Sequence, residues 1–106
     1  MTTTYTKEHQ IEIVSGIRDL IGRQGLFMLG AKNLGYGVNS EGNVYLSFRI
    51  SGSKVKFIRI ALNGLDLYNV EFLNMRGQVI SSEENIYNDR VRKAIEEHTG
   101  LYLKLF

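Results

Sequence analysis

Apolar and polar residues alternate from Val44 to Ser51. Val44, Leu46, Phe48 and Ile50 stand on one parity, and Tyr45, Ser47, Arg49 and Ser51 on the other. A period of two over that length specifies a strand with one face in the core and one in solvent. Further β-rich runs follow, so strands are predicted at about 44–50, 55–62, 67–75 and 78–82. Their connections are Ser51-Gly-Ser-Lys54, Asn63-Gly64 with its neighbours, and Met75-Arg-Gly-Gln78. Links this short join neighbouring strands antiparallel, as a meander.

Helical spacing brackets these strands. Ile13, Ile17, Leu20 and Ile21 recur at three and four residues, and Ile11 and Val14 widen the stripe. A helix is predicted from about Lys7 to Ile21, with Thr6 as N-cap and Glu8 in the first turn, ending near Gly22 and Gly25. A second helix is predicted after Asn85 as its cap. Tyr87, Val91, Ala94, Ile95 and His98 form its apolar face. Asp89–Lys93, Arg92–Glu96 and Lys93–Glu97 are candidate i,i+4 pairs, and Gly100 stands at the stop. Between the first helix and Val44, an apolar run broken by glycines, Leu26 to Val38, reads as a bulged strand. A short helix over Leu26–Leu29 competes with that reading. Leu101, Leu103 and Leu105 alternate again, for a short strand or packing beneath the sheet. The expected fold is one α+β domain over residues 1–106: an N-terminal helix, an antiparallel meander of four to five strands, and a C-terminal helix. Residues 1–5 are polar and expected to fray. No internal repeat stands out.

The register of the hairpin spanning 44–62 decides what each face carries. A two-residue turn at Gly52-Ser53 pairs Phe48 with Phe57 and sets Arg59 beside Leu46 on the inner face. A three-residue loop, or a bulge, puts Ile58, Ile60 and Leu62 with Leu46 and Phe48 instead. The second register is favoured, because an unpaired buried guanidinium costs several kcal/mol. It gathers Tyr45, Arg49, Phe57 and Arg59 on the opposite face.

Charge sharpens the interest of that hairpin. The chain of 106 residues has a net charge of +2. Residues 42–65 hold Arg49, Lys54, Lys56 and Arg59 and no acid, whereas the other segments are neutral or slightly negative. With no cysteine, disulfides, thiol chemistry and cysteine-ligated zinc are excluded. With no proline, the loops must turn on glycine and asparagine. No run approaches the ~20 apolar residues of a membrane span, and the N-terminus lacks the pattern of a secretory signal. A cytoplasmic location, no membrane partner and no cofactor are expected.

Catalytic patterns are sparse. Gly25 to Asn33 superficially resembles a phosphate loop, but Lys32 follows Gly30 by two positions and no Ser or Thr comes after it. Gly35-Tyr-Gly37 lacks the third glycine of a dinucleotide fingerprint. His9 and His98 lie on different helices, His98 as a capping or packing residue. Glu83-Glu84 before the last helix reads as dipole complementation. Most of the six tyrosines read as core-edge residues with buried rings and wet hydroxyls. No nucleophile–base pair is evident and no metal site is expected, so the chain reads as a non-enzyme.

Several short segments together resemble a family of small proteins encoded by phages, prophages and related mobile elements. They are Gly30-Ala-Lys-Asn33, Leu46-Ser-Phe-Arg49, Val70-Glu-Phe72, Arg76-Gly77 and Thr99-Gly-Leu-Tyr102. The similarity runs from about Ile17 to Leu103 and departs at Asn63-Gly64, where relatives often have a proline. The family has no established activity. The resemblance implies a bacterial or phage source and an accessory role, and it carries over no functional residue.

The expected function is therefore a non-catalytic accessory binding module acting on nucleic acid or a nucleic-acid-processing complex. Arg49, Lys54, Lys56 and Arg59 would neutralise phosphates, and Tyr45 and Phe57 would stack bases. The alternative is a protein-binding or self-assembling accessory factor, such as a host-protein inhibitor or small structural subunit. In that case Leu105, Phe106 and an open sheet edge would supply the contact. A solvated sheet face, or one covered by a helix or a partner, accounts for the same residues more simply.

Overall fold

The alternation at 44–51 becomes the second strand of a five-stranded antiparallel sheet with both helices on one side. In the computed structural model, residues 6–103 are described. The fraying expected of residues 1–5 and the contacts expected of Leu105 and Phe106 lie outside them. The elements in chain order are α1 (Lys7–Met28), β1 (Lys32–Val38), β2 (Val44–Arg49), β3 (Phe57–Leu62), β4 (Tyr68–Leu73), β5 (Val79–Ile86) and α2 (Asn88–Thr99). The sheet order is β1-β2-β3-β4-β5, the expected meander.

The register is the favoured one. Leu46 opposes Ile60 and Phe48 opposes Ile58. These residues join Val70 and Phe72 of β4 in one buried cluster with Ile17 and Ile21 of α1 and Val91 and Ile95 of α2. α1 lies across β2, and α2 across β4 and β5. Each fully buried aliphatic side chain removed from water contributes about 1.5–3 kcal/mol, so the helix-side face holds the fold together. The seven residues of 50–56, not a tight turn at 51–54, set this register. Ile50 N–H donates to Lys56 O and Lys56 N–H to Leu73 O, while Ser53 Oγ donates to Thr99 O at 3.0 Å. β3 accordingly starts at Phe57 rather than at 55.

α1 does not stop at Ile21. It continues to Met28 across a break at Gly22, where φ is +81° and ψ is 159°. Only glycine occupies that region without large cost. The helical reading therefore holds for the start of the run, to Met28, while the bulged-strand reading holds for its end: β1 begins at Lys32 and shifts register against β2 between Lys32 and Gly35. Arg92 of α2 donates to the carbonyl of Ile21, just before the break, and its other terminal nitrogen reaches Leu103 O at 3.5 Å. Glu96 accepts from Leu103 N–H at 3.0 Å. The expected Arg92–Glu96 pair is thus replaced by two side chains that grip the backbone of Leu103, which is fully buried.

α2 differs from expectation in other ways. Asn85 is in β5 at a positive φ of 56°, and Tyr87 takes the N-cap position without a side-chain bond. Tyr87 is 69% exposed rather than part of the apolar face. Asp89–Lys93 and Lys93–Glu97 are not ion pairs. Arg90 instead bridges Glu83 at 3.0 Å and Glu97 at 2.9 Å, and holds the Glu97 carboxyl below its usual range mainly by its hydrogen bond. Gly100 stops α2 in the left-handed region, and residues 101–103 form no strand.

Three of the four hairpins use one loop, a repeat not noticed in the sequence. Asn39, Asn63 and Asn74 each turn their side-chain oxygen onto backbone N–H groups two and four residues ahead. In each loop the residue three positions on has positive φ: Gly42 at 82°, Asp66 at 59° and Gly77 at 79°. The side chain imitates a backbone turn, and the left-handed residue closes it. The middle loop places its glycine at 64, where a Cβ would meet nothing within 4 Å, and an aspartate where glycine suits. Asp66→Gly should therefore stabilise the protein by about 0.5–1 kcal/mol. A urea melt checks this: the midpoint should rise with an unchanged slope.

Candidate nucleic-acid interface

The face opposite the helices carries Tyr45, Ser47 and Arg49 of β2, Phe57, Arg59 and Ala61 of β3, and Asn69 and Glu71 of β4. Period-two alternation puts them there once the aliphatic parity is buried. Neither α1 nor α2 packs on this side. The structure thus brings Tyr45, Arg49, Phe57 and Arg59 together, as the sequence predicts.

Their environments differ. Across the middle of the face, Gly37 of β1 opposes Tyr45. A Cβ on Gly37 would lie 2.8 Å from Tyr45 Oη and 3.1 Å from Cζ, so the phenol ring lies against the bare glycine backbone. The Arg59 guanidinium sits 5.5 Å from the centroid of the same ring. It also donates to Glu71 at 3.2 Å, both side chains being 38% exposed. Arg59 is therefore a paired cation and Tyr45 a ring already occupied. This departs from the roles expected of them, because Glu71 enters from the next strand opposite Arg59.

At one end of the sheet the arrangement is open. Lys32 of β1 opposes Arg49 of β2, which opposes Phe57 of β3. Lys32, Arg49 and Lys56 line a groove of about 310 Å³ together with Gly30, Asn33, Ile50, Ser51 and Met75. None of the three cations has an ion-pair partner among the described residues. Lys56 reaches the groove because its backbone N–H is tied to Leu73 O at the edge of β4. Lys54 does not line the groove. It sits on the exposed part of the 50–56 loop, next to Ser53, which is bonded to the end of α2. Lys32 was missed as a groove cation. Its signal in the sequence is its place in the run from Gly25 to Asn33, which does not match a phosphate loop.

The helix side holds a hydrogen-bonded chain that no spacing revealed. His98 Nδ1 is 2.9 Å from Ser81 Oγ, and its Nε2 is 2.7 Å from Glu83 Oε2. Arg90 grips both oxygens of Glu83 at 3.0 and 3.1 Å. The imidazole stacks on Phe72 with centroids 4.3 Å apart and planes 6° from parallel. A serine, an imidazole and a carboxylate in series can activate a hydroxyl, but a reaction also needs a substrate cavity and donors for the developing oxyanion. The described cavities are lined by neither Ser81 nor His98. What the chain does visibly is clamp α2 to the edge strand, so Glu83 serves β5 and not the helix dipole. Among the described residues, no group of three or more His, Cys, Asp or Glu side chains could hold a metal ion.

No family model, curated protein or solved structure matches this chain. The α+β fold rests on the structure itself. Among the described residues no helix is long and apolar enough to cross a membrane.

Proposed function

We propose that the protein is a non-catalytic module that binds single-stranded nucleic acid along its helix-free sheet face. The phosphates lie at Lys32, Arg49 and Lys56 and a base stacks on Phe57. The observation that carries the reading is the convergence on one groove of three cations that have no ion-pair partner among the described residues, beside an aromatic side chain one strand over. Cations that track phosphates next to rings that stack bases are the common chemistry of single-strand binding. Arg59 is held in reserve by Glu71, and Lys54 adds only diffuse charge. An accessory role for a phage or other mobile element is the biological setting of this proposal, suggested by the resemblance of the sequence segments.

Fluorescence anisotropy with a labelled oligonucleotide tests it. Three neutralised phosphates predict a log–log salt slope of about −2 on single strands. Replacing Lys32, Arg49 and Lys56 together with alanine should flatten the slope and abolish binding at low salt. Glu71→Gln should act in the opposite sense, freeing Arg59 and steepening the slope by about 0.7. A wild-type protein that shows no binding at low salt, or binding indifferent to salt, ends this reading.

A further inference from the structure

The two edges of the sheet are built differently. β5 shifts register twice against β4, carries Glu83 and Glu84, and is tied to α2 through His98 and Arg90. Bulges and charges of that kind prevent another strand from adding. β1 is irregular only between Lys32 and Gly35, and residues 33–40 contain no charged residue. Leu34, Tyr36 and Val38 along it are 46%, 42% and 45% exposed.

These apolar residues are bare for a structural reason. Tyr36 opposes Leu46 and Val38 opposes Val44, so both stand on the helix side of the sheet. α1 lies across β2, however, and leaves the outermost strand uncovered. The outer backbone groups of β1 face solvent, where another extended chain could pair with them in register.

We infer that this chain is a second copy of the same protein, paired antiparallel along β1 about a twofold axis through Tyr36. Charge decides the occupant and the direction. The edge has Lys32 at one end and Glu41 just beyond the other, with neutral residues between. Antiparallel self-pairing brings Lys32 of each copy to the Glu41 end of the other, twice over. A parallel arrangement sets lysine against lysine. In the antiparallel register Leu34 faces the partner's Val38 and Tyr36 faces the partner's Tyr36. Two incomplete apolar stripes then become one continuous strip between the two α1 helices. On the other side Gly35 meets the partner's Gly37, so nothing obstructs the approach. The product is a continuous sheet of ten strands with both cationic grooves on the same face. Lys32 also lines the cationic groove, so association is measured without nucleic acid, and the inference stands or falls apart from nucleic-acid binding.

Light scattering on the full chain, without nucleic acid, tests it from about 1 to about 500 µM. The expected result is a concentration-dependent rise toward twice the 12.1 kDa chain mass. Tyr36→Lys combined with Val38→Lys should weaken association at least about tenfold with the circular dichroism spectrum unchanged. Lys32→Glu should weaken it several-fold, and adding Glu41→Lys should restore it. That rescue is independent of whether the double-lysine variant folds. A monomer mass throughout overturns the inference and leaves the edge to a different extended chain. A dimer indifferent to the lysines and to the charge swap overturns it equally, because the contact then lies elsewhere.

Discussion

Replacing Arg92 with methionine should destabilise the protein by about 2–3 kcal/mol, more than any other exposed or half-exposed charge in the chain. Arg92 is not a surface ion pair. It donates to the carbonyls of Ile21 and Leu103, which belong to α1 and to the segment after α2. Removing it leaves two partly buried carbonyls short of a donor and frees Leu103, whose N–H is bonded to Glu96. Methionine keeps much of the aliphatic stem, so packing loss contributes little. The break at Gly22 belongs to the same construction, since a Cβ there would sit 3.3 Å from Arg92 Nη1. Gly22→Ala should also destabilise, because alanine cannot hold φ at +81° without strain. A double-mutant cycle in urea checks the link. The two costs should fall short of additive, because either change alone dismantles the junction of α1, α2 and the tail. Additive costs would mean that Arg92 and Gly22 act separately.

Phe72→Ala should cost about 3–5 kcal/mol, a large part of the roughly 5–15 kcal/mol that holds a domain of this kind together. Phe72 is fully buried between β4 and α2. Its truncation opens a cavity and removes the surface on which His98 stacks. The imidazole then loses the wall that directs it at Ser81 and Glu83, so the clamp between α2 and β5 loosens with the core. Thermal unfolding should move down by many degrees, and hydrogen exchange in α2 and β5 should quicken first. Phe57→Ala provides the contrast. Phe57 is only half-buried, on the helix-free face, so its loss should cost about 1 kcal/mol of stability while reducing oligonucleotide binding. If the two phenylalanine variants were equally stable, the assignment of core and open faces would fail.

Much of the architecture was legible because it follows from local periodicity. Val44 to Ile50 could bury only one parity, and the cost of a buried Arg59 selected the register of β2 against β3. Thr6 and Gly100 marked helix ends through backbone chemistry that acts within a few residues. Where local signals conflicted, the reading erred. Gly22 and Gly25 looked like a helix end, but the packing of Arg92 and Leu103 against them let α1 resume. Asn85 looked like a cap, but its side-chain oxygen accepts from Asn63 at 2.8 Å and its backbone N–H donates to Asn69 Oδ1, which hold it in β5. The shared loop at Asn39, Asn63 and Asn74 was visible in principle as an asparagine followed three residues later by glycine or aspartate. It was obscured because Gly64 breaks the pattern of its two companions.

The candidate interface divides along the same line. By itself the sequence determined that a strand pair would turn Tyr45, Arg49, Phe57 and Arg59 to one face while burying its aliphatic side chains, because alternation splits each strand into two faces and the cost of burying Arg59 disfavours the other register. Only the tertiary structure decided which of those groups remain available. Glu71, twelve residues from Arg59, neutralises it through the β3–β4 register. Lys32, Arg49 and Lys56 come from separate parts of the chain to one groove. His98 meets Ser81 and Glu83 across a helix–strand contact. Such meetings depend on how elements pack at ångström distances, and the spacing of residues along a chain contains no measure of that.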